Sequence, residues 1–170
     1  MNMDFPAVTV PSELYSSNDP ITGQKYTDPD TGAQFDMVLN NGDYVLKQGG
    51  KTLTGKIYVK GSARLLVPSD GKIAMSGQDT IKIGPNGSLQ LFADCPSAGM
   101  GGNGSFTGIF YAPSAAMAMN GSGNTSTNDF SGAGIVKTVK MTGSFNFHYD
   151  ENLKKIGLYR GYIITSWNEK

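Results

Sequence analysis

The chain has 170 residues, enough for one domain with a real core and short for two. Its 14 Lys+Arg balance 14 Asp+Glu, which argues against a nucleic-acid-binding surface and against a polybasic membrane anchor. Charged residues are only 16% of the chain, glycines number 23, and no run approaches the ~18 apolar residues of a membrane span, so the class is a weakly charged, glycine-punctuated folded domain.

Residues 1–36 read as an irregular N-terminal cap. Pro6, Pro11, Pro20 and Pro29 lie among Ser, Asn, Asp and Gly, and each proline removes a donor that a strand ladder needs. Phe5, Val8 and Val10 are expected to lie extended against a core edge. Met1 to Pro6 have neither the basic nor the apolar region of an export signal. Asp28-Pro29-Asp30-Thr31-Gly32 sets oxygen-bearing side chains at alternate positions beside a glycine, as calcium loops do, which makes Asp28 and Asp30 metal candidates. The stretch lacks the bidentate glutamate of an EF-hand, and Pro-Asp-Thr-Gly is an ordinary turn, so the turn reading is preferred and no cofactor or metal is expected.

From residue 37 to 153 the pattern changes to strand-like runs of three to five residues ending at Gly, Asn, Pro or Asp. Lys56 to Val59, Lys72 to Met75, Ser88 to Phe92, Gly108 to Tyr111 and Val139 to Met141 are examples. Glycine recurs every 22 residues at Gly55, Gly77, Gly99, Gly121 and Gly143. Two positions before it stand Leu53, Met75, Met119 and Met141, with Ser97 the exception; one before stand Thr54, Ser76, Asn120 and Thr142, with Ala98 the exception. The unit apolar-x-Leu/Met-small-Gly alternates inward and outward and then turns. A fixed period with short strands and little helix predicts an all-β, single-stranded right-handed parallel β-helix, a solenoid of about five 22-residue coils. A coil cannot bury its inner face alone, so both ends need covers.

Asp150 and Glu151 suit the start of a short helix that Gly157 would end, and Tyr159 to Trp167 returns to strand character, so residues 154–170 are read as the C-terminal cap. His148, the one histidine, could act as a base oriented by Asp150 or bind a metal with Glu151; a single histidine without a second ligand set favours a structural role. Gly99 to Gly104 precedes a strand rather than a helix, which suits a loop between coils and not a phosphate cradle. Cys95 has no partner for a disulfide and is expected to pack as a small apolar side chain. Asp70, Asp79 and Asp94 fall at different phases of the period and Asp129 in a loop, so no carboxylate pair is selected for glycoside cleavage.

Phe106-Thr107-Gly108-Ile109-Phe110-Tyr111-Ala112-Pro113-Ser114-Ala115 resembles the FxGxIYAPxA coil of an uncharacterised bacterial envelope β-helical domain. Asp129 to Gly143 is similar to its next coil, Ser144 to Glu151 to its GSFHYDE signature, and Tyr162 to Trp167 to its terminal YxxxSW. Such domains form the C-terminal end of minor-pilin-like proteins associated with type IV pili. The resemblance implies a cell-surface or extracellular location, with the export segment not present in this chain, and partners among envelope or pilus proteins or surface glycans. It supplies no catalytic residues. The function expected is a non-catalytic structural or adhesive module, with outer rows of Ser, Thr, Asn and Gly suited to saccharide or protein contacts. The alternatives are a polysaccharide-binding or polysaccharide-cleaving β-helix and a self-assembling β-helical scaffold.

Overall fold

Runs that present two or three apolar side chains to one side and then turn cannot bury that side unless another run lies directly above or below. The computed structural model describes residues 10–20, 22–47, 49–102, 105–122, 130–144 and 147–148, and in it these runs stack in parallel as a β-solenoid of about four turns. β1 (Thr22–Thr27) lies antiparallel beside β2 (Gln34–Leu39), which opens the first coil. That coil continues through β3 (Gly42–Val45) and β4 (Thr52–Leu53). The second contains β5 (Lys56–Val59), β6 (Ser62–Val67) and β7 (Lys72–Met75). The third contains β8 (Thr80–Ile83), β9 (Ser88–Ala93) and β10 (Ser97–Gly102). Next come the long strands β11 (Phe106–Ser122) and β12 (Phe130–Ser144), each of which turns a corner without breaking, and then β13 (Phe147–His148).

The pairings define three faces. The first stacks β2, β5 and β8; the second stacks β3, β6, β9 and the first halves of β11 and β12; the third stacks β4, β7, β10 and their second halves. Inward residues form rows along the axis. Leu65, Leu91 and Phe110 make one such row on the second face, and Met75, Met100, Met119 and Met141 make another on the third. Phe106, Phe130 and Phe147 stack face to face at 4.9 and 4.8 Å where the second face begins. Cys95 is buried in the same core, its Sγ 3.4 Å from the Ser97 carbonyl that accepts from it.

The register differs from the even 22-residue spacing in an instructive way. Met100, not Ser97, stands beside Met75 and Met119, so the third coil is three residues longer than the period and the next is three shorter. The longer coil carries the turn Gly84–Gly87, closed by the Gly87 N–H on the Gly84 carbonyl. Among the described residues the shorter one contributes a single bridge to the first face, Ser105 on Thr80. Gly121 does pair with Gly143, but Gly102 rather than Gly99 stands beside Gly121, and Gly99 pairs with Ala74 and Ala118 inside a strand. Gly55 and Gly77 both take positive φ, 89° and 64°, at turns. Leu53 pairs with Ile73 and Lys56 with Thr80, so these two glycines are not level with each other. The stretch read as an irregular cap over 1–36 holds β1, the first three residues of β2 and a 3-10 turn at Ser12–Ser16; β1 fits between Pro20 and Pro29 because it lies on the sheet edge, where a missing donor costs little.

Two glycine positions are dictated by close backbone approach. A Cβ on Gly132, at φ 150°, would lie 1.9 Å from the Gly108 carbonyl oxygen, and one on Gly143, at φ 80°, would lie 2.3 Å from that of Gly121.

Candidate functional site

The outer side of the second face is apolar where a solvated sheet would be polar. Val45, Leu66, Phe92 and Tyr111 form one outward row and are buried, because the segment Val10–Asn18, with a 3-10 turn at Ser12–Ser16, lies across them and inserts Leu14. Polar ties hold this strap. Arg64 donates to both carboxylate oxygens of Asp43, at 2.7 and 2.6 Å, and to Glu13 at 3.2 Å. Asn18 bridges to Tyr44, and the Tyr15 hydroxyl donates to Asp94, a bond that pushes the phenol up to about 12. This cover was not foreseen as such. Its trace in the sequence is the pairing of consecutive apolar residues, Leu65-Leu66-Val67 and Leu91-Phe92-Ala93, where a half-solvated strand would alternate.

On the first face the candidate calcium loop proves to be a latch. The Asp28 carboxylate is buried, 1% exposed, and accepts from the Asp30 N–H at 3.1 Å, the Thr31 hydroxyl at 2.7 Å and the Lys82 ammonium. Chiefly the Lys82 bond, then that from Thr31, draws its pKa down to about 2. Asp30 takes part through its N–H, and among the described residues no group of three or more His, Cys, Asp or Glu is placed to hold a metal ion. Tyr58 packs beside the latch, its ring 4.8 Å from Tyr26 and 5.2 Å from Phe35, so β1 and its turn seal an aromatic cluster.

Two more of the acids are likewise engaged in local structure. Asp70 takes the Lys51 ammonium, and Asp79 accepts from the Thr54 hydroxyl at 2.8 Å and the Ser76 N–H at 3.0 Å. Asp129, Asp150 and Glu151 lie outside the described residues, as does the short helix expected after Asp150. His148 is exposed on β13, paired in register with Ser131.

Two surfaces remain. The outer side of the third face carries rows of mostly small side chains with two exposed lysines among them: Thr52 and Lys72; Ser97, Ala116 and Thr138; Ala74, Gly99, Ala118 and Lys140; Gly101, Asn120 and Thr142. A shallow cleft of about 220 Å³ runs along it between Ser76, Gly99, Gly101 and Asn120. The second surface is the apolar end of the solenoid above β12. No helix among the described residues is long and apolar enough to cross a membrane.

The sequence matches, over residues 15–156, the family described as Domain of unknown function (DUF7305). That span takes in every described coil. The chain belongs to the DUF7305 family. No curated protein and no solved structure matches it. For this DUF7305 chain the functional reading therefore rests on its own surfaces.

Proposed function

We propose that the protein is a non-catalytic structural or adhesive module of the bacterial cell surface, associated with a pilus or another envelope assembly, and that its third face meets surface glycans or envelope proteins. The observation that carries this reading is the third face itself. Parallel stacking fixes its rows at the roughly 4.8 Å strand spacing, so small and polar side chains present a regular surface whose charges are Lys72 and Lys140 toward its two ends. Such a surface binds chiefly by shape and hydrogen bonding over many weak contacts. The occupied carboxylates favour binding over cleavage, since Asp28, Asp70, Asp79 and Asp94 each hold a turn or a strap. The likeness of Phe106 to Ala115 and of Ser144 to Glu151 to coils of pilin-associated domains supports the envelope location.

A glycan array probed with the purified chain tests the reading, with Asn120→Trp as the blocking variant, since an indole at that exposed position covers the cleft. The expected result is retention on a restricted set of polysaccharides, or capture of an envelope component, lost in Asn120→Trp. Retention that Asn120→Trp leaves unchanged would remove the third face from the mechanism. Release of new sugar ends from a retained polysaccharide would make the protein an enzyme.

A further inference from the structure

The end of the solenoid above β12 is an open core. A cavity of about 400 Å³ lies there, lined by Phe110, Met119, Val136, Val139, Met141 and Phe147 among others, with Gly134 leaving the floor unfilled beside Phe110. The coils below show what the end lacks. Met75, Met100 and Met119 are 2%, 4% and 2% exposed, whereas Met141, next in the same row, is 51% exposed. Val139 and Phe147 are exposed in the same way. One further layer of apolar side chains would bring these residues to the burial of their counterparts.

We propose that this end is the docking site of residues 149–170 of the same chain. The position of the chain at His148 argues for it: β13 already lies beside Phe130 and Ser131, one level above β12 and on the rim of the cavity. Residues 149–170 include the apolar side chains Leu153, Ile156, Leu158, Ile163, Ile164 and Trp167 that a further layer needs. Their reach, at roughly 3.3 Å per extended residue, is ample to cross the mouth. A second copy is the poorer occupant. Lys137 and Lys140 stand exposed on β12, the strand whose edge a two-fold partner would meet, and edge lysines oppose such pairing. A head-to-tail partner fares no better, since β1 covers β2 on the first face of the opposite end and Asn18 bridges Tyr44 on the second. The seal closes the axial end of the rod, so contacts with other molecules are left to its sides; this holds whether or not the third face is adhesive.

Trp167 is the one tryptophan of the chain, so its emission reports the docked segment directly in the intact protein. The expected result is blue-shifted emission, poorly quenched by acrylamide and unchanged on dilution of a monomer. Met141→Glu at the mouth and, separately, Ile163→Asp with Ile164→Asp in the segment should each shift it to the red. Quenching should rise several-fold and apolar dye binding should appear, with the strand signal in circular dichroism retained. Water-exposed emission in the unaltered monomer overturns the proposal. So does emission that turns blue only as a dimer forms, which would give the face to a second copy. So does folded Met141→Glu protein with unchanged emission, for which the double substitution serves as the independent check.

Discussion

Met119 and Met141 occupy adjacent positions of one inward row, with the same side chain and the same strand geometry, yet one is buried and the other half exposed. The outer row of the second face repeats the contrast, with Tyr111 9% exposed and Ile135, its partner on β12, 52% exposed. The lower coils are closed three times over: by a coil above, by the strap Val10–Asn18 outside, and by β1 and the Asp28 latch at the start. Among the described residues the upper strands have none of these beyond the two residues of β13. In a solenoid, then, the worth of an apolar residue is decided by what the next coil or strap does, and the residue's own strand does not set it.

The largest effect should separate the two ends of that outer row. Leu66→Ala removes a side chain buried between β6 and the strap and should cost about 2–5 kcal/mol in urea unfolding. Ile135→Ala, at the uncovered end of the row, should stay within about 1 kcal/mol of the unaltered chain. Equal costs at the two positions would mean that the row is covered along its whole length and would end the contrast.

Backbone contacts give a second, somewhat smaller test. Gly132→Ala places a methyl group against the Gly108 carbonyl in a backbone conformation that L residues avoid, and should destabilise by roughly 2–4 kcal/mol. Gly99→Ala meets nothing closer than 3.8 Å at an ordinary φ, and should be neutral or stabilise by about 0.5 kcal/mol through the unfolded chain. Thermal melts of the two variants in parallel would show which glycines the stack requires. A large loss at Gly99 would restore it as a corner of the repeat.

That pair also shows how far the sequence could be read. Parallel stacking of short strands was legible, because Leu53, Met75, Met119 and Met141 alternate with small polar residues before a glycine turn. The register was not, since two unequal coils compensate each other and Gly99 keeps the beat while standing inside a strand. Ser97 and Ala98, which break the repeated unit at the third glycine, were the visible sign of this: the true counterparts of Met75 and Gly121 are Met100 and Gly102. The Asp28 turn was legible as a turn, but its bond to Lys82, 54 residues away, depends on β8 stacking two levels above β2, which no local pattern encodes. Of the strap only Val10 was legible, as an apolar residue at a core edge; Phe5 and Val8, expected with it, lie outside the described residues, and the partners of Leu14 lie in four different coils.

The strap's own ties should give a modest effect. Arg64→Ala breaks a two-pronged bond to Asp43 and the contact with Glu13 on a partly solvated surface, a loss of about 1 kcal/mol. Its clearer signature is local. Limited proteolysis should cut between Val10 and Asn18 faster in this variant while leaving β6 and β9 intact. Cleavage spreading into those strands would mean that the strap is integral to the stack and is not a cover laid over it.

The smallest expected effects lie in the pH dependence, and they fall at opposite ends of the scale. Asp28 has its folded pKa lowered to about 2 from an ordinary value near 3.8, so the folded state holds the charged form more firmly than the unfolded chain does. Its contribution is complete above the ordinary carboxylate value and is lost as the pH falls from there toward 2. Tyr15 runs the other way: its folded pKa is raised from 10.0 to about 12, because the protonated hydroxyl donates to Asp94. That contribution is complete below pH 10 and is lost as the pH climbs through 12. Asp28→Asn should therefore flatten part of the acid limb of a stability–pH curve and leave the alkaline limb alone, and Tyr15→Phe should do the reverse. Tyr15 is half exposed, so solvent screens its bond and the alkaline change is the weaker of the two. Both groups tie elements to the closed part of the molecule, which gives the comparison a final handle. Tryptophan emission from Trp167 should not follow either limb before global unfolding, because neither the latch nor the strap touches the end above β12. An emission change that tracks Asp28 or Tyr15 would show that the two ends of the rod are coupled through the stack.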